Sequence, residues 1–141
     1  RLSLIFKATV FTPHHEIPQY LMNITKLQKI IVDALEDIKG RDIEVINTSK
    51  LTPLFERIII ACGDSNRQVR SLASNVQDKV REAGGHVIST EGEESGEWVL
   101  VDLGDIVVHV MQPAIRSYYN LEELWGGKGP ERVRKAIAAS A

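Results

Sequence analysis

Trp98-Val-Leu-Val-Asp102-Leu-Gly104-Asp105-Ile-Val-Val-His109-Val-Met111 is the stretch that decides the fold. Two runs rich in β-branched and aliphatic residues flank a Gly-Asp pair, the pattern of two antiparallel strands joined by a tight turn. With Gly104 and Asp105 at the centre of the turn, Leu103 pairs with Ile106, Val101 with Val108 and Val99 with Val110. That face is wholly apolar and belongs to a core. On the other face Trp98 opposes Met111, Leu100 opposes His109 and Asp102 opposes Val107, with His109 diagonal to both Trp98 and Asp102. A mixture of Trp, Leu, Met, Val, Asp and His suits neither open water nor an ordinary core. Two readings stay open for it: a protein-docking surface, in which aromatic and Met residues anchor and a rim Asp or His orients, or a face covered by the chain's own last helix.

That last helix is expected in Arg116-Ser-Tyr118-Tyr119-Asn-Leu121-Glu122-Glu-Leu124-Trp125, where Leu121, Leu124 and Trp125 fall at i, i+3 and i+4. Arg116 and Glu122 are placed to pair, and an exposed pair contributes at most about 1 kcal/mol. Upstream of the hairpin, Thr25 with Gln28 has the spacing of a capping box and predicts a helix start. Leu27, Ile30, Ile31, Ala34, Leu35 and Ile38 then mark one buried face, and Gly40 supplies a stop. Asp42 to Asn47 reads as a strand. Arg57 to Cys62 is a β-branched run suited to an interior strand, with Pro53 requiring an irregular or short helical connection between the two. Ser65 with Gln68 caps a second helix, with Val69, Leu72, Ala73, Val76 and Val80 as its buried stripe and Gly84-Gly85 as its end. His86 to Thr90 reads as a strand and Glu91 to Gly96 as a polar loop. This order implies an α/β fold: a mixed β-sheet of about five strands flanked by helices.

The 141 residues suit one domain, and a formal net charge of −2 argues against holding nucleic acid by bulk electrostatics. The single cysteine, Cys62, ends the apolar run 58–61 and reads as a buried thiol in a reducing cytoplasm. No stretch approaches the roughly 18 consecutive apolar residues of a membrane span. Residues 1–21 carry Arg1 and Lys7 around a short apolar core without a small-residue cleavage site, a poor signal peptide. The expectation for 1–21 is a disordered or non-native extension, with Met22 as a natural start.

Three motifs together carry a family resemblance: Ser65-Asn66-Arg67 opening the central helix, Trp98 to His109 as W-x-x-x-D-x-G-D-x-x-x-H, and Arg116-x-x-Tyr119-x-Leu121-Glu122-x-Leu124-Trp125. Over residues 22–127 the chain resembles the ribosomal silencing factors, also called the Iojap-like family. The resemblance implies a domain related in fold to nucleotidyltransferases, often a homodimer when free. It also implies binding to the large ribosomal subunit through universal ribosomal protein L-fourteen, where occupancy sterically blocks joining of the small subunit and represses translation under nutrient limitation. The positions that match the family's motifs are Trp98, Asp102, His109, Arg116, Tyr119, Leu121, Glu122 and Trp125. Leu100 and Met111 join them as protein-binding candidates from the hairpin register, and Met111 stands where relatives often have Phe. Residues 128–141 read as a C-terminal tail with a frayed helix from Glu131.

An enzyme reading has less support. Gly63-Asp64-Ser65 before a helix is similar to the phosphate-binding opening of a nucleotidyltransferase. Such a site also needs clustered carboxylates for magnesium. Asp102 and Asp105 are three residues apart, the wrong spacing for a same-face pair on a strand. One Cys and four scattered His give no zinc spacing. A His109–Asp102 pair without a neighbouring nucleophile reads as a structural hydrogen bond. The expectation is therefore a binding protein with no catalytic residue, metal or cofactor, with a degenerate nucleotidyltransferase as the alternative.

Overall fold

A computed structural model describes residues 22–125 of the chain. In chain order the elements are α1 (Ile24–Asp37), β1 (Arg41–Asn47), β2 (Arg57–Cys62), α2 (Asn66–Glu82), β3 (Ser89–Glu91), β4 (Trp98–Asp102), β5 (Ile106–Met111), α3 (Pro113–Tyr119) and α4 (Leu121–Trp125). The expected N-terminal extension and the terminal helix from Glu131 lie outside the described residues.

The five strands form one sheet in the order β1-β2-β5-β4-β3. Only the β2–β5 pair is parallel; the other three are antiparallel, so the sheet is mixed as expected. The hairpin register is the one its sequence dictates, with Trp98 opposite Met111, Leu100 opposite His109 and Asp102 opposite Val107. Two local features hold its turn. Gly104 has φ +91, the left-handed region that favours glycine, and its N–H donates to Asp102 Oδ1 at 2.9 Å.

β5 lies at the centre of the sheet with all six residues buried. Its alternation divides the interior into two cores. On one face Ile106, Val108 and Val110 join Val99, Val101, Leu103, Ile59 and Ala61 beneath the apolar stripes of α1 and α2. In α2, Val69, Leu72, Ala73, Val76 and Val80 are fully buried, as their spacing predicts. On the opposite face Met111 joins Ile46, Ile58 and Ile60, with Phe55, Trp98, Ile115, Leu121 and Trp125 packed against them.

Four boundaries differ from expectation. α1 is capped by Asn23, whose Oδ1 accepts from Thr25 N at 2.7 Å, so Thr25 lies inside the helix. At its other end Lys39 takes the left-handed conformation (φ 61), while Gly40 N donates to Leu35 O and Lys39 N to Glu36 O. This is a Schellman arrangement one residue earlier than a glycine stop. Gly40 serves close packing instead, since a Cβ there would lie 3.0 Å from Leu35 O and 3.1 Å from Leu72 Cδ2. The strand expected over His86 to Thr90 shrinks to Ser89–Glu91, the residues that pair in register with β4, although Ile88 N still donates to Asp102 O at 2.9 Å. Glu91 is therefore strand, and the polar loop covers 92–97. The single helix expected within Arg116 to Trp125 is a tail of two short helices, α3 and α4, broken where Asn120 adopts φ 48.

Ser65 caps α2 as its sequence predicts, accepting from Gln68 N at 3.0 Å. Gln68 does more than close that cap: its Oε1 accepts from Asp64 N, and its Nε2 donates to Ile38 O and Lys39 O. One side chain thus joins the end of α1 to the start of α2. Because Leu72 is wholly enclosed between these helices and the sheet, Leu72→Ala is expected to lower unfolding free energy by about 2–5 kcal/mol through a cavity. Urea titration should show a lower midpoint with an unchanged slope.

Candidate functional site

The outer face of the hairpin, opposite the two long helices, holds half of the candidate residues and α3 and α4 hold the rest, and the structure separates them into three groups. The first is an aromatic series. Trp98 Nε1 donates to His109 Nδ1 at 3.0 Å, with ring centroids 5.8 Å apart. Trp98 also meets Tyr119 at 4.9 Å, and Tyr119 meets Tyr118 edge-on at 5.0 Å. The series runs from buried His109 through half-buried Trp98 to Tyr119 (52 % exposed) and Tyr118 (82 % exposed). Leu100 and Asp102, both half-buried, continue the same face along β4.

His109 accepts at Nδ1, so its proton sits on Nε2 and the ring is neutral. Burial pushes its pKa down from 6.5 to about 4. Asp102 is turned away from it, with Oδ1 capping the hairpin turn. The expected His109–Asp102 hydrogen bond is therefore replaced by Trp98–His109: in the register Asp102 opposes Val107, and the nearer indole reaches the imidazole.

The second group surrounds Arg116, which is 9 % exposed rather than a surface cation. Its Nη1 donates to Asp42 O at 2.6 Å and to Cys62 Sγ at 3.3 Å, its Nε donates to Glu122 Oε2 at 2.9 Å, and Nη2 lies 3.6 Å from Glu44 Oε2. Burial opposes its charge, but the bonds to Cys62 and Glu122 together with the Glu122 charge outweigh it, and its pKa is raised. Arg116 and Glu122 do pair, but as an enclosed network and not the weak exposed pair the sequence suggests. Cys62 is buried, as expected. A cleft of about 360 Å³ opens here, lined in part by Asp42, Cys62, Ser117 and Asn120.

The third group is core. Met111 is wholly buried, which corrects its assignment as a docking residue: it has no surface to present. Leu121 and Trp125 pack on the same small core, where Trp125 meets Phe55 edge-on at 5.5 Å. The chain's own tail therefore covers the mixed face only in part. The tail covers its β1–β2 side, while Trp98, Leu100 and Asp102 on β4 keep exposed surface. Tyr118 and Phe55 are contributors the sequence reading missed. Tyr118 stands beside Tyr119 in the motif, whereas Phe55 sits in an irregular loop with no periodicity to mark it.

The phosphate-site alternative meets a first turn of α2 already engaged by the chain itself. Asp64 N donates to Gln68 Oε1, Ser65 Oγ accepts from Gln68 N, and the Asp64 carboxylate is bonded by Arg41. Among the described residues no cluster of three or more His, Cys, Asp or Glu is arranged to hold a metal ion, and no helix is long and apolar enough to cross a membrane.

The family model described as "Ribosomal silencing factor during starvation" matches residues 22–140. A Chromobacterium violaceum protein named ribosomal silencing factor RsfS is 61 % identical over 109 residues, covering 77 % of this chain and 89 % of that relative. A Bacillus subtilis protein of the same name is 40 % identical over 105 residues, covering 74 % and 89 %. A crystal structure of a Chromobacterium violaceum protein superposes with a TM-score of 0.74 at 60 % identity, covering 77 % of this chain and 91 % of that one.

The enclosed imidazole has a consequence for stability. His109 stays neutral in the fold down to about pH 4, whereas in the unfolded chain it protonates near 6.5, so the unfolded state binds more protons between those values. Its contribution is complete above pH 6.5 and is lost as pH falls toward 4, amounting to roughly 3 kcal/mol. Denaturation midpoints measured across this window should fall less steeply in His109→Gln than in the parent.

Proposed function

The chain belongs to the ribosomal silencing factor family, and from that premise we propose that it represses translation by docking on the large ribosomal subunit and sterically preventing the small subunit from joining. The proposed contact is universal ribosomal protein L-fourteen, the proposed setting the cytoplasm under nutrient limitation, and the free protein a homodimer. No chemical step is involved.

The observation that carries this reading is the aromatic series on the outer sheet face. Tyr118 and Tyr119 keep 82 % and 52 % of their surface exposed beside half-buried Trp98. Large aromatics with few freely rotating bonds can anchor a protein interface at low entropic cost, and Trp and Tyr are over-represented among residues that dominate binding energy. Trp98 is held by His109 on one side and Tyr119 on the other, so much of its ordering precedes any encounter. The proposed contact set is Trp98, Leu100, Asp102, Tyr118 and Tyr119. His109, Arg116, Glu122, Leu121, Trp125 and Met111 support it from beneath. The net charge of −2 favours contact with a ribosomal protein over contact with bare RNA.

Co-sedimentation with purified large subunits tests the reading. The parent chain should pellet with them, and Tyr118→Ala/Tyr119→Ala should weaken binding by about 30-fold or more, the loss of roughly 2 kcal/mol expected for truncated aromatic anchors. Lys29→Ala, on exposed α1 across the molecule, should bind like the parent. A parent chain that stays in the supernatant overturns the function, and a tyrosine variant that binds unchanged overturns the site.

A further inference from the structure

α3 has seven residues and α4 five, too few for either helix to persist on its own local bonding. Their placement must come from tertiary anchors, and one anchor reaches across to the far edge strand. In the β1–β2 ladder Arg41 pairs with Cys62 and Glu44 with Ile60, so β1 spends three steps where β2 spends two. The extra residue makes a bulge, and within it Asp42 adopts φ 51. Its carbonyl meets Arg116 Nη1 at 2.6 Å.

We infer that the β1 bulge and Arg116 form a positioning device that sets Tyr119 against Trp98 and so assembles the docking face. This rests on the docking reading above. Arg116 lies three residues before Tyr119, nearly one helical turn, so fixing the guanidinium fixes both the height and the rotation of α3 at the tyrosine. The same guanidinium donates through Nε to Glu122, beyond the Asn120 break, and thereby holds α4 to α3. Nη2 faces Glu44, on the first residue after the bulge to rejoin the ladder. Four partners, drawn from β1, β2 and α4, thus converge on one side chain. Arg116 and Asp42 are positioning residues, acting on the partner only through Tyr119.

The device uses the backbone carbonyl of Asp42 and not its carboxylate, which separates it from a surface-charge effect. Asp42→Gly keeps the positive φ available, whereas Asp42→Val resists it, because a β-branched residue is strained there. Nuclear Overhauser contacts between the Trp98 indole and the Tyr119 ring, read alongside large-subunit binding, provide the test. Arg116→Gln and Asp42→Val should lose the Trp98–Tyr119 contacts while keeping those between Val99 and Val110 in the hairpin. They should also bind large subunits about tenfold more weakly, as for a docking face assembled in about a tenth of molecules. Asp42→Gly should retain both the ring contacts and the affinity. Trp98–Tyr119 contacts that persist in Asp42→Val or Arg116→Gln overturn the inference, as does Asp42→Gly behaving like Asp42→Val. Should Arg116→Gln fail to fold, the two Asp42 variants carry the comparison. If the parent chain itself fails to bind, the docking reading falls, and the ring contacts alone still decide whether this device positions Tyr119.

Discussion

Burial of β5 on both of its faces is the constraint on which the rest of the molecule depends. A central strand with six buried residues needs two covers, and this chain builds them unequally. α1 and α2, of fourteen and seventeen residues, bring complete apolar stripes and close one face entirely. Among the described residues the other face receives only Phe55 from a loop and a tail of two short helices, enough to seal Met111, Ile58 and Ile60 but not the β4 side. The exposed aromatic surface follows from that incomplete cover.

What remains is ordered by two kinds of polar contact. The indole–imidazole bond between Trp98 and His109 satisfies a buried nitrogen that would otherwise be costly, while burial keeps the ring neutral. The Arg116 network performs the corresponding task for the tail, balancing an enclosed positive charge with Glu122, Glu44, a carbonyl and a thiol. Removing one member of such a network costs more than the network contributes, because the remaining charge stays buried without its partner. The tail therefore has one favoured seat despite its short helices.

Much of the fold was legible because it rests on periodicity. Val99, Val101, Val108 and Val110 alternate with other residues along β4 and β5, the stripe of α2 repeats at helical spacing, and the Gly104-Asp105 turn leaves one register that puts these four valines on the same inward face. Local chemistry was less legible where several residues offered the same service. Asn23 and Thr25 are both good caps, and Lys39 and Gly40 both stand where α1 ends. The edge strand β3 came out shorter than its sequence because its limits depend on where β4 offers partners. The candidate site was read as one group of ten residues; it is an exposed series, an enclosed ionic network and a small core, and composition carries no signal that separates these.

The sequence by itself determined the membership of the two sheet faces, the hairpin register and the identity of the motif residues, because alternation and turn chemistry are local and leave few solutions. Tertiary structure alone decided which motif residues reach the surface. Met111 and Trp98 are direct cross-strand neighbours on the same face, yet one is sealed and the other half-open. The difference is set by where Arg116, reaching a carbonyl turned out by a bulge 74 positions earlier, allows the tail to rest. Such a contact joins segments far apart in the chain, and no periodicity within either segment encodes it.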